Sequence, residues 1–491
     1  MIKAEGTKFL NQKKIILFIV IALLVIYVAL RAYFLSITYD ECLSLDIING
    51  DKMRAGTANN HLLNTFLMRF FKGLFGSGEI VLRLPNVFAF LLYCYFCYKI
   101  LIKSKTLTLL FVGISFLLLN PYLLDFFSLA RGYGLALGFA MAAMYFMIEK
   151  TENDYKDYLK RLALSSGFCL LSSFSNLSFL NLEFAVLFIF LLELILSVKN
   201  KSFQLNRMRI IYLSIILLIN FFFLAILISQ LLILKNHNEL YFGGSIGFLH
   251  DTIPNLIFNT FYFSIFNPIL WLIVRILILF LFATAIGYSI YQRKDTPIVK
   301  TTLVLCLLVI IPLLQHYLFD SLFPVHRTSL LFVPVFGLLV FHLFSAIQLH
   351  IENNKKRTLP FNATLLLLFC LPMAANIFNS INLKHTKEWV TDANTKHVMN
   401  KIEDYYSNTL HTGQTISLSC NWVFEPAINY YRSLYSMEYL KPTEKTGLDL
   451  NTDFIYCTTG DKENLTQPNS FSVLENYPET ESVLLMKSTG N

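Results

Sequence analysis

The residues best suited to chemistry are Asp40 and Glu41, in Tyr39-Asp40-Glu41, a few positions past the first long apolar run. A carboxylate near its reference pKa of about 3.9 is ionised at neutral pH and can take the proton of an attacking hydroxyl. A second acid lies in Asn120-Pro121-Tyr122-Leu123-Leu124-Asp125-Phe126-Phe127-Ser128-Leu129-Ala130-Arg131-Gly132-Tyr133, where Asp125 precedes Arg131 by six residues. Two readings of Asp125 stand side by side: a functional acid near a membrane, where ionisable groups are costly, or one half of a structural pair with Arg131. Three arginines occupy equivalent places. Arg83 in Leu82-Arg83-Leu84-Pro85, Arg131, and Arg327 in Pro324-Val325-His326-Arg327 each stand near the amino end of an apolar run. Free N–H groups and the positive end of a helix dipole attract anions there, and guanidinium adds paired hydrogen bonds to phosphate oxygens. Singly, each could be a snorkelling residue at a span end; together, with His326, they form a candidate phosphate site.

The elements that position these groups follow from composition. With 55% hydrophobic residues, 15% charged residues and 46 phenylalanines, and a mean hydropathy of +0.56, the chain is a polytopic membrane protein. Apolar runs of about 20 residues, enough to cross the hydrocarbon core, lie near 13–35, 80–102, 106–123, 131–148, 162–179, 182–198, 210–234, 269–290, 301–319, 329–350 and 361–381. This predicts an all-α bundle of about eleven transmembrane helices. Lys13 and Lys14, Lys103 and Lys105, Lys160 and Arg161, Arg207 and Arg209, Arg293 and Lys294, and Lys355 to Arg357 fall in alternate loops. Basic loops stay cytoplasmic, so the amino terminus is expected inside and the carboxyl terminus outside, with outer loops 36–79, 120–130, 235–268 and 320–328. The first run is longer than a signal-peptide core and lacks a small-residue cleavage site, so it is expected to be retained. A net charge of +8 is absorbed largely by these topology signals, and no nucleic-acid partner is implied.

In the first outer loop, Asn59-Asn60-His61 is followed by Leu62, Leu63, Phe66, Leu67, Phe70, Phe71 and Leu74, with Asn64, Thr65, Arg69 and Lys72 on the other face. The period is helical, and such a helix lies in the membrane surface. It would either cap the bundle or floor a site for a lipid headgroup, with His61 at its start. The apolar stretch from Phe248 to Phe266 is a candidate cover over a lipid. His237, Glu239, His250 and Asp251 match no familiar ligand spacing, and whether a metal binds is open. Residues 1–381 are read as the transmembrane part and 382–491 as a small extracytoplasmic α/β domain, with a helix around 387–406, strands at 415–420, 453–457 and 482–487, and a helix at 426–434. Cys94 and Cys97 read as packing residues, while Cys420 and Cys457 are candidates for a disulfide.

The ordered set Asp40-Glu41, His61-Leu62-Leu63, Phe75-Gly76 with Glu79, Leu82-Arg83-Leu84-Pro85, and Asn120-Pro121 through Arg131-Gly132-Tyr133 resembles the multi-spanning glycosyltransferases of the GT-C fold. The similarity is to the bacterial protein O-mannosyltransferase-like enzymes of glycosyltransferase family 39 and the aminoarabinose transferases acting on lipid A. It covers about the first 150 residues, with weaker support from His326-Arg327 to Pro334. The resemblance implies transfer of a sugar from a polyprenyl-phosphate donor to a lipid, glycan or protein acceptor on the outer face of the cytoplasmic membrane, usually with inversion. It implies Asp40 as general base, Glu41 as its support and Asp125 as the acid that orients acceptor or base. His61, Arg83, Arg131, Tyr133, His326 and Arg327 would contact substrate. No cofactor is certain, and some distant relatives use a divalent metal between two acidic loops. The sequence departs from many relatives at Asn60-His61-Leu62, where a basic residue or a His followed by prolines is common. The rival expectation, from the same composition, is a transporter or lipid flippase, which would place ionisable residues near mid-span.

Overall fold

The computed structural model describes residues 2–51, 53, 56–149, 154–203, 206–262, 268–292, 296–353, 359–409, 414–444, 447–465 and 470–488. The basic groups Arg293-Lys294 and Lys355 to Arg357, and the last part of the 248–266 stretch, lie outside the described residues. In chain order the helices are α1 (Ile2–Phe34), α2 (Tyr39–Asn49), α3 (Leu62–Phe75), α4 (Glu79–Leu101), α5 (Leu107–Leu117), α6 (Pro121–Phe127), α7 (Gly132–Ile148) and α8 (Tyr155–Ser175). They continue with α9 (Leu180–Lys199), α10 (Arg207–Asn236), α11 (Ile253–Thr260), α12 (Pro268–Gln292), α13 (Pro297–Phe319), α14 (Phe332–Asn353), α15 (Leu359–Leu365) and α16 (Leu371–Ser380).

All eleven apolar runs are helical. Among the described residues, eight helices are long and apolar enough to cross a membrane, or nine if α5 and α6 are one broken span. Their outward faces suit lipid rather than water: Phe221 on α10 is 71% exposed and Phe280 on α12 is 64% exposed. The run expected near 106–123 is not one straight helix, because α5 and α6 meet at a 56° bend. The cause is local. The Asn120 side chain accepts the Leu123 N–H and Pro121 follows at the first helical position, so a new helix starts where the old one would have continued.

Contacts gather the basic loops at one end of the bundle. Lys13 Nζ donates to the carbonyls of Ile102 and Ser104 at 2.7 and 2.8 Å, Lys103 pairs with Glu149, and the Tyr155 hydroxyl donates to the Arg209 carbonyl at 3.0 Å. At the other end α2, α3 and the chain after α16 cover the helix termini.

Helix α3 packs inside-out. Its buried residues are Asn64, Thr65 and Met68, whereas Phe66, Phe70 and Leu74 are 64%, 54% and 59% exposed. The polar face turns inward because it has partners there: Asn64 Nδ2 donates to the Ala130 carbonyl at 3.0 Å, and Asn86 Nδ2 donates to Asn64 Oδ1 at 2.9 Å. An apolar face turned out from a bundle end is what a membrane surface would cover.

The last part of the chain adds α17 (Thr395–Thr409), β1 (Leu418–Cys420), α18 (Glu425–Leu434), β2 (Phe454–Thr458), α19 (Thr459–Glu463), β3 (Phe471–Tyr477) and β4 (Ser482–Lys487). The sheet order is β1-β2-β4-β3, with β1 parallel to β2 and the remaining pairs antiparallel. Helix α18 is the crossover that a parallel pair requires. Strand β3 is absent from the sequence expectations, since its alternation is irregular and broken by a register shift between Val473 and Glu475. The helix expected over 387–406 begins only at Thr395. No disulfide joins Cys420 and Cys457, which are both free. Cys420 pairs in register with Tyr456, so Cys457, one residue on, faces the other side of the sheet. One core unites Ile428, Tyr431 and Tyr456 with Ile37, Leu45 and Met68, which seats the sheet region directly on α2 and α3.

Candidate active site

The site is assembled around the start of α2. Thr38 caps it reciprocally: its hydroxyl accepts the Glu41 N–H at 3.3 Å and its own N–H donates to Glu41 Oε2 at 2.9 Å, the capping-box arrangement. Glu41 is fully buried and takes two hydrogen bonds from Arg83, at 2.8 and 2.7 Å, and one from the Ala130 N–H at 2.6 Å. Burial alone would raise the Glu41 pKa, but the Arg83 charge and these N–H donors outweigh it and hold the carboxyl below its usual range.

Arg83, expected among the phosphate-binding arginines, is bonded inside the protein. Beyond Glu41 it donates to the carbonyls of Ala32 at 3.0 Å, Leu35 at 2.8 Å and Ser36 at 2.8 Å. Those bonds occupy all five of its N–H donors. It closes the exposed carbonyl end of α1 and holds Glu41, the neighbour of Asp40.

Asp40 Oδ2 makes no hydrogen bond and lies 3.4 Å from Arg131 Nη2 and 3.5 Å from Arg327 Nη2. Arg131 is buried and positioned by the Asp40 carbonyl and Ser44 Oγ, each 3.0 Å from Nη1, and by Asn59 Oδ1, 3.0 Å from Nη2. Arg327 is more open, its side chain 22% exposed, and packs its guanidinium on Phe242 and Trp389 with 4.8 and 5.4 Å to the ring centres. Its other amino group lies 3.6 Å from Glu388 Oε2. Glu388 also accepts from the Tyr122 hydroxyl and stands 3.4 Å from His326 Nδ1. Arg327 is therefore held between two carboxylates, Asp40 and Glu388. His326 adopts a left-handed backbone, φ +47°, a conformation uncommon outside glycine, and its N–H is taken by Asn255 Oδ1.

Asp125 does not pair with Arg131. Its carboxylate meets Arg31 Nη2 at 2.6 Å and accepts from the Tyr262 hydroxyl and the Lys387 N–H, both at 2.8 Å. Arg31 also donates to the His385 carbonyl at 2.8 Å. These bonds explain why residues 385–389 are not helical: their backbone groups are drawn to Asp125 and Arg31 in place of one another. Asp125 thus ties α1 and α6 to the segment that carries Glu388.

His61 is buried, its ring 5.4 Å from Tyr133, with Nδ1 3.4 Å from Asn176 Nδ2 and Nε2 without a partner. Burial first, then the charges of Arg131 and Arg327, push its pKa well below the ordinary value, so it is a neutral imidazole at pH 7. With Nδ1 accepting from Asn176, the network assigns the proton to Nε2, an unused donor. Tyr133 also packs on Phe126 at 5.0 Å.

Among the described residues no three His, Cys, Asp or Glu side chains group so as to hold a metal ion. Of the loop acids considered for one, Asp251 Oδ2 accepts from the N–H groups of Ile246 and Gly247, and Glu239 accepts from the Ala58 N–H at 3.3 Å. The site residues that sequence reasoning missed are Glu388, Tyr122 and Arg31. The available signal was Lys387-Glu388-Trp389, a charged and aromatic triplet just after the last apolar run.

No family model and no curated protein matches the chain. Among solved structures it is similar to ArnT from Cupriavidus metallidurans in the apo state, with a TM-score of 0.49, 10% identity, and 97% of this chain and 98% of that chain covered. It is also similar to ArnT of the same organism bound to undecaprenyl phosphate, with a TM-score of 0.45 and 12% identity over the same shares.

Proposed function

We propose that this chain is a membrane glycosyltransferase that moves a sugar from a polyprenyl-phosphate donor to a lipid, glycan or protein hydroxyl at the outer face of the cytoplasmic membrane. Residues 1–381 are the transmembrane catalytic part and 382–491 the extracytoplasmic domain. The observation that carries the reading is Asp40 Oδ2, a carboxylate oxygen without a hydrogen bond, set between Arg131 and Arg327. A transfer from a lipid phosphate needs a base for the incoming hydroxyl and cations for the departing phosphate, and here the two lie within one contact distance.

In this mechanism the acceptor oxygen bonds to the anomeric carbon while its proton passes to Asp40 Oδ2. The bond from that carbon to the phosphate oxygen breaks with its electron pair, and the lipid phosphate leaves onto Arg327 and Arg131. Attack from the face opposite the leaving group inverts the centre. Glu41 and Arg83 aim Asp40, and the neutral His61 offers Nε2–H to a ligand oxygen. Before substrate arrives, Asp40 and Glu388 balance the two arginines, so a phosphate must draw Arg327 from its carboxylates and in doing so leaves Asp40 freer to accept a proton. The outward phenylalanines of α3 support a site at the membrane surface, where a lipid-borne donor and an acceptor from water can meet.

A second reading, transport or lipid flipping, draws on Glu183. It is fully buried in the first turn of α9, neither carboxylate oxygen is hydrogen-bonded, and the weakly donating Cys169 thiol lies against it. Ionisable groups inside a bundle often mark transport routes. One experiment separates the two: radiolabelled sugar transfer from polyprenyl-phosphate donors to a membrane-extract acceptor pool, with wild type and Asp40→Asn in nanodiscs. The expected result is transfer by wild type and a loss of roughly 10²–10⁴-fold in the variant. No transfer from any donor, together with lipid movement between leaflets in proteoliposomes, would replace this reading with the second.

A further inference from the structure

The ion pairs around the site differ in tightness. Arg83 grips Glu41 at 2.8 and 2.7 Å, the length of a charge-assisted hydrogen bond. Arg327 is held loosely, with Nη2 3.5 Å from Asp40 and Nη1 3.6 Å from Glu388, and His326 Nδ1 stands 3.4 Å from the same Glu388. The Tyr122 hydroxyl bonds Glu388 directly. The Glu388 carboxylate thus sits among a guanidinium, an imidazole and a phenol, groups that donate to a phosphate oxygen as readily as to a carboxylate. These surroundings are partly open: the side chains of His326 and Arg327 are 40% and 22% exposed, against 9% for Glu388.

We propose that Glu388 is a stand-in for the donor's phosphate: the phosphate takes its place on Arg327, His326 and Tyr122, and Glu388 returns as the lipid phosphate departs. The proposal rests on the glycosyltransferase reading and adds how that site takes up and releases its phosphate. Of the two carboxylates on Arg327, Glu388 is the one that can be exchanged without loss of the base. It faces Nη1 while Asp40 faces Nη2, so a phosphate in its position leaves Asp40 beside the other amino group. Stacking on Phe242 and Trp389 keeps the guanidinium in place while its partners exchange. The exchange needs only a new rotamer of one side chain, because the backbone before it stays tied through the Lys387 N–H to Asp125 at 2.8 Å. The chemistry matches as well. A sugar-linked lipid phosphate is a diester with one negative charge on two free oxygens, the same count as a carboxylate. Once the sugar has left, the monoester carries more charge and binds the cations more tightly, so a returning carboxylate is needed to compete it off.

Binding tests this without turnover. Undecaprenyl phosphate and undecaprenol are titrated into the full chain in phosphatidylcholine nanodiscs, with bound lipid read by native mass spectrometry and inorganic phosphate added as competitor. Glu388→Gln keeps an oxygen for Tyr122 and removes the competing charge. It is expected to bind undecaprenyl phosphate about tenfold more tightly than wild type, the gain that follows if Glu388 fills the seat about nine-tenths of the time. In transfer assays the same variant lowers the donor KM about tenfold and also lowers kcat, because the lipid phosphate leaves more slowly; a merely structural glutamate would show neither gain. If Glu388→Gln melts well below wild type, Glu388→Asp, which withdraws the charge by one methylene, is judged by the same gain in affinity. A parallel gain in competition by inorganic phosphate shows that the seat takes phosphate in any form, and a gain confined to the lipid shows that it takes lipid-borne phosphate; both support the proposal. Unchanged or weaker binding in a folded variant overturns it, as does an equal gain for undecaprenol, which has no phosphate. The expected gain with no transfer from any sugar donor would sink the transfer reading and leave the stand-in role intact, so the two failures are distinct.

Discussion

Arg83 and Arg327 look alike in sequence, each a lone arginine near the amino end of an apolar run, yet their side chains do opposite work. Arg83 uses every donor inside the protein, and replacing it with Met would leave Glu41 buried and unpaired. Breaking a buried pair in this way costs about 3–5 kcal/mol, so Arg83→Met is expected to lose folded yield and melting temperature in detergent. Arg327 keeps part of its surface open and sits on two aromatic rings. Arg327→Lys retains charge but loses the planar fork, and should raise the donor KM about tenfold with a melting curve close to wild type. Equal loss of fold in both variants would show that Arg327 is a structural group like Arg83.

At the scale of elements, the site depends on how closely α7 meets α8 and the loop before α3. A Cβ on Gly132 would stand 1.8 Å from the Ser175 carbonyl oxygen and 2.8 Å from His61 Cβ, and backbone cannot swing aside as a side chain can. Gly132→Ala is therefore expected to destabilise the protein by about 1–3 kcal/mol, as overpacking does, and to displace Arg131 next to it. A Cβ on Gly73, in α3, would meet nothing within 4 Å, so Gly73→Ala serves as the control and should be neutral or mildly stabilising. Thermal melts of both in the same detergent check the contrast. The inside-out packing of α3 is also a matter of neighbouring elements: its helical period is plain in the sequence, but which face turns inward depends on Asn86 and Ala130, distant in the chain.

Across the whole molecule, the segment after α16 is the keystone. Lys387 donates its N–H to Asp125, Glu388 holds Arg327, and Asp392 Oδ2 accepts the Tyr39 N–H at 2.9 Å. Burial pushes the Asp392 carboxyl up to about 8, with the Tyr39 N–H opposing and the Asp40 and Glu41 charges adding to the rise. The folded protein thus holds a proton that an unfolded aspartate, with a pKa of about 3.9, has released. Its stabilising effect is complete below that lower value, declines as pH rises, and is gone above the folded value. Asp392→Asn keeps an acceptor for Tyr39 and removes the titration. Melting temperature measured from about pH 5 to 9 should fall for wild type and fall less for the variant; parallel curves would exclude Asp392 as the source.

The sequence alone determined the membrane class, the helical runs, the alternation of basic loops and the Asp40-Glu41 pair, because each rests on composition or local spacing. Hydrophobic length and helical period are properties of neighbours in the chain. Only the tertiary structure decided which charges pair, since a buried carboxylate takes whichever cation the packing brings. Asp125 meets Arg31 and not the nearer-in-sequence Arg131, and Arg83 closes on Glu41. The carboxylate on the other side of Arg327 comes from Glu388, more than 340 residues beyond Asp40. No local pattern carries that information, because the free energy of such pairs depends on burial and distance, both set by the assembled fold.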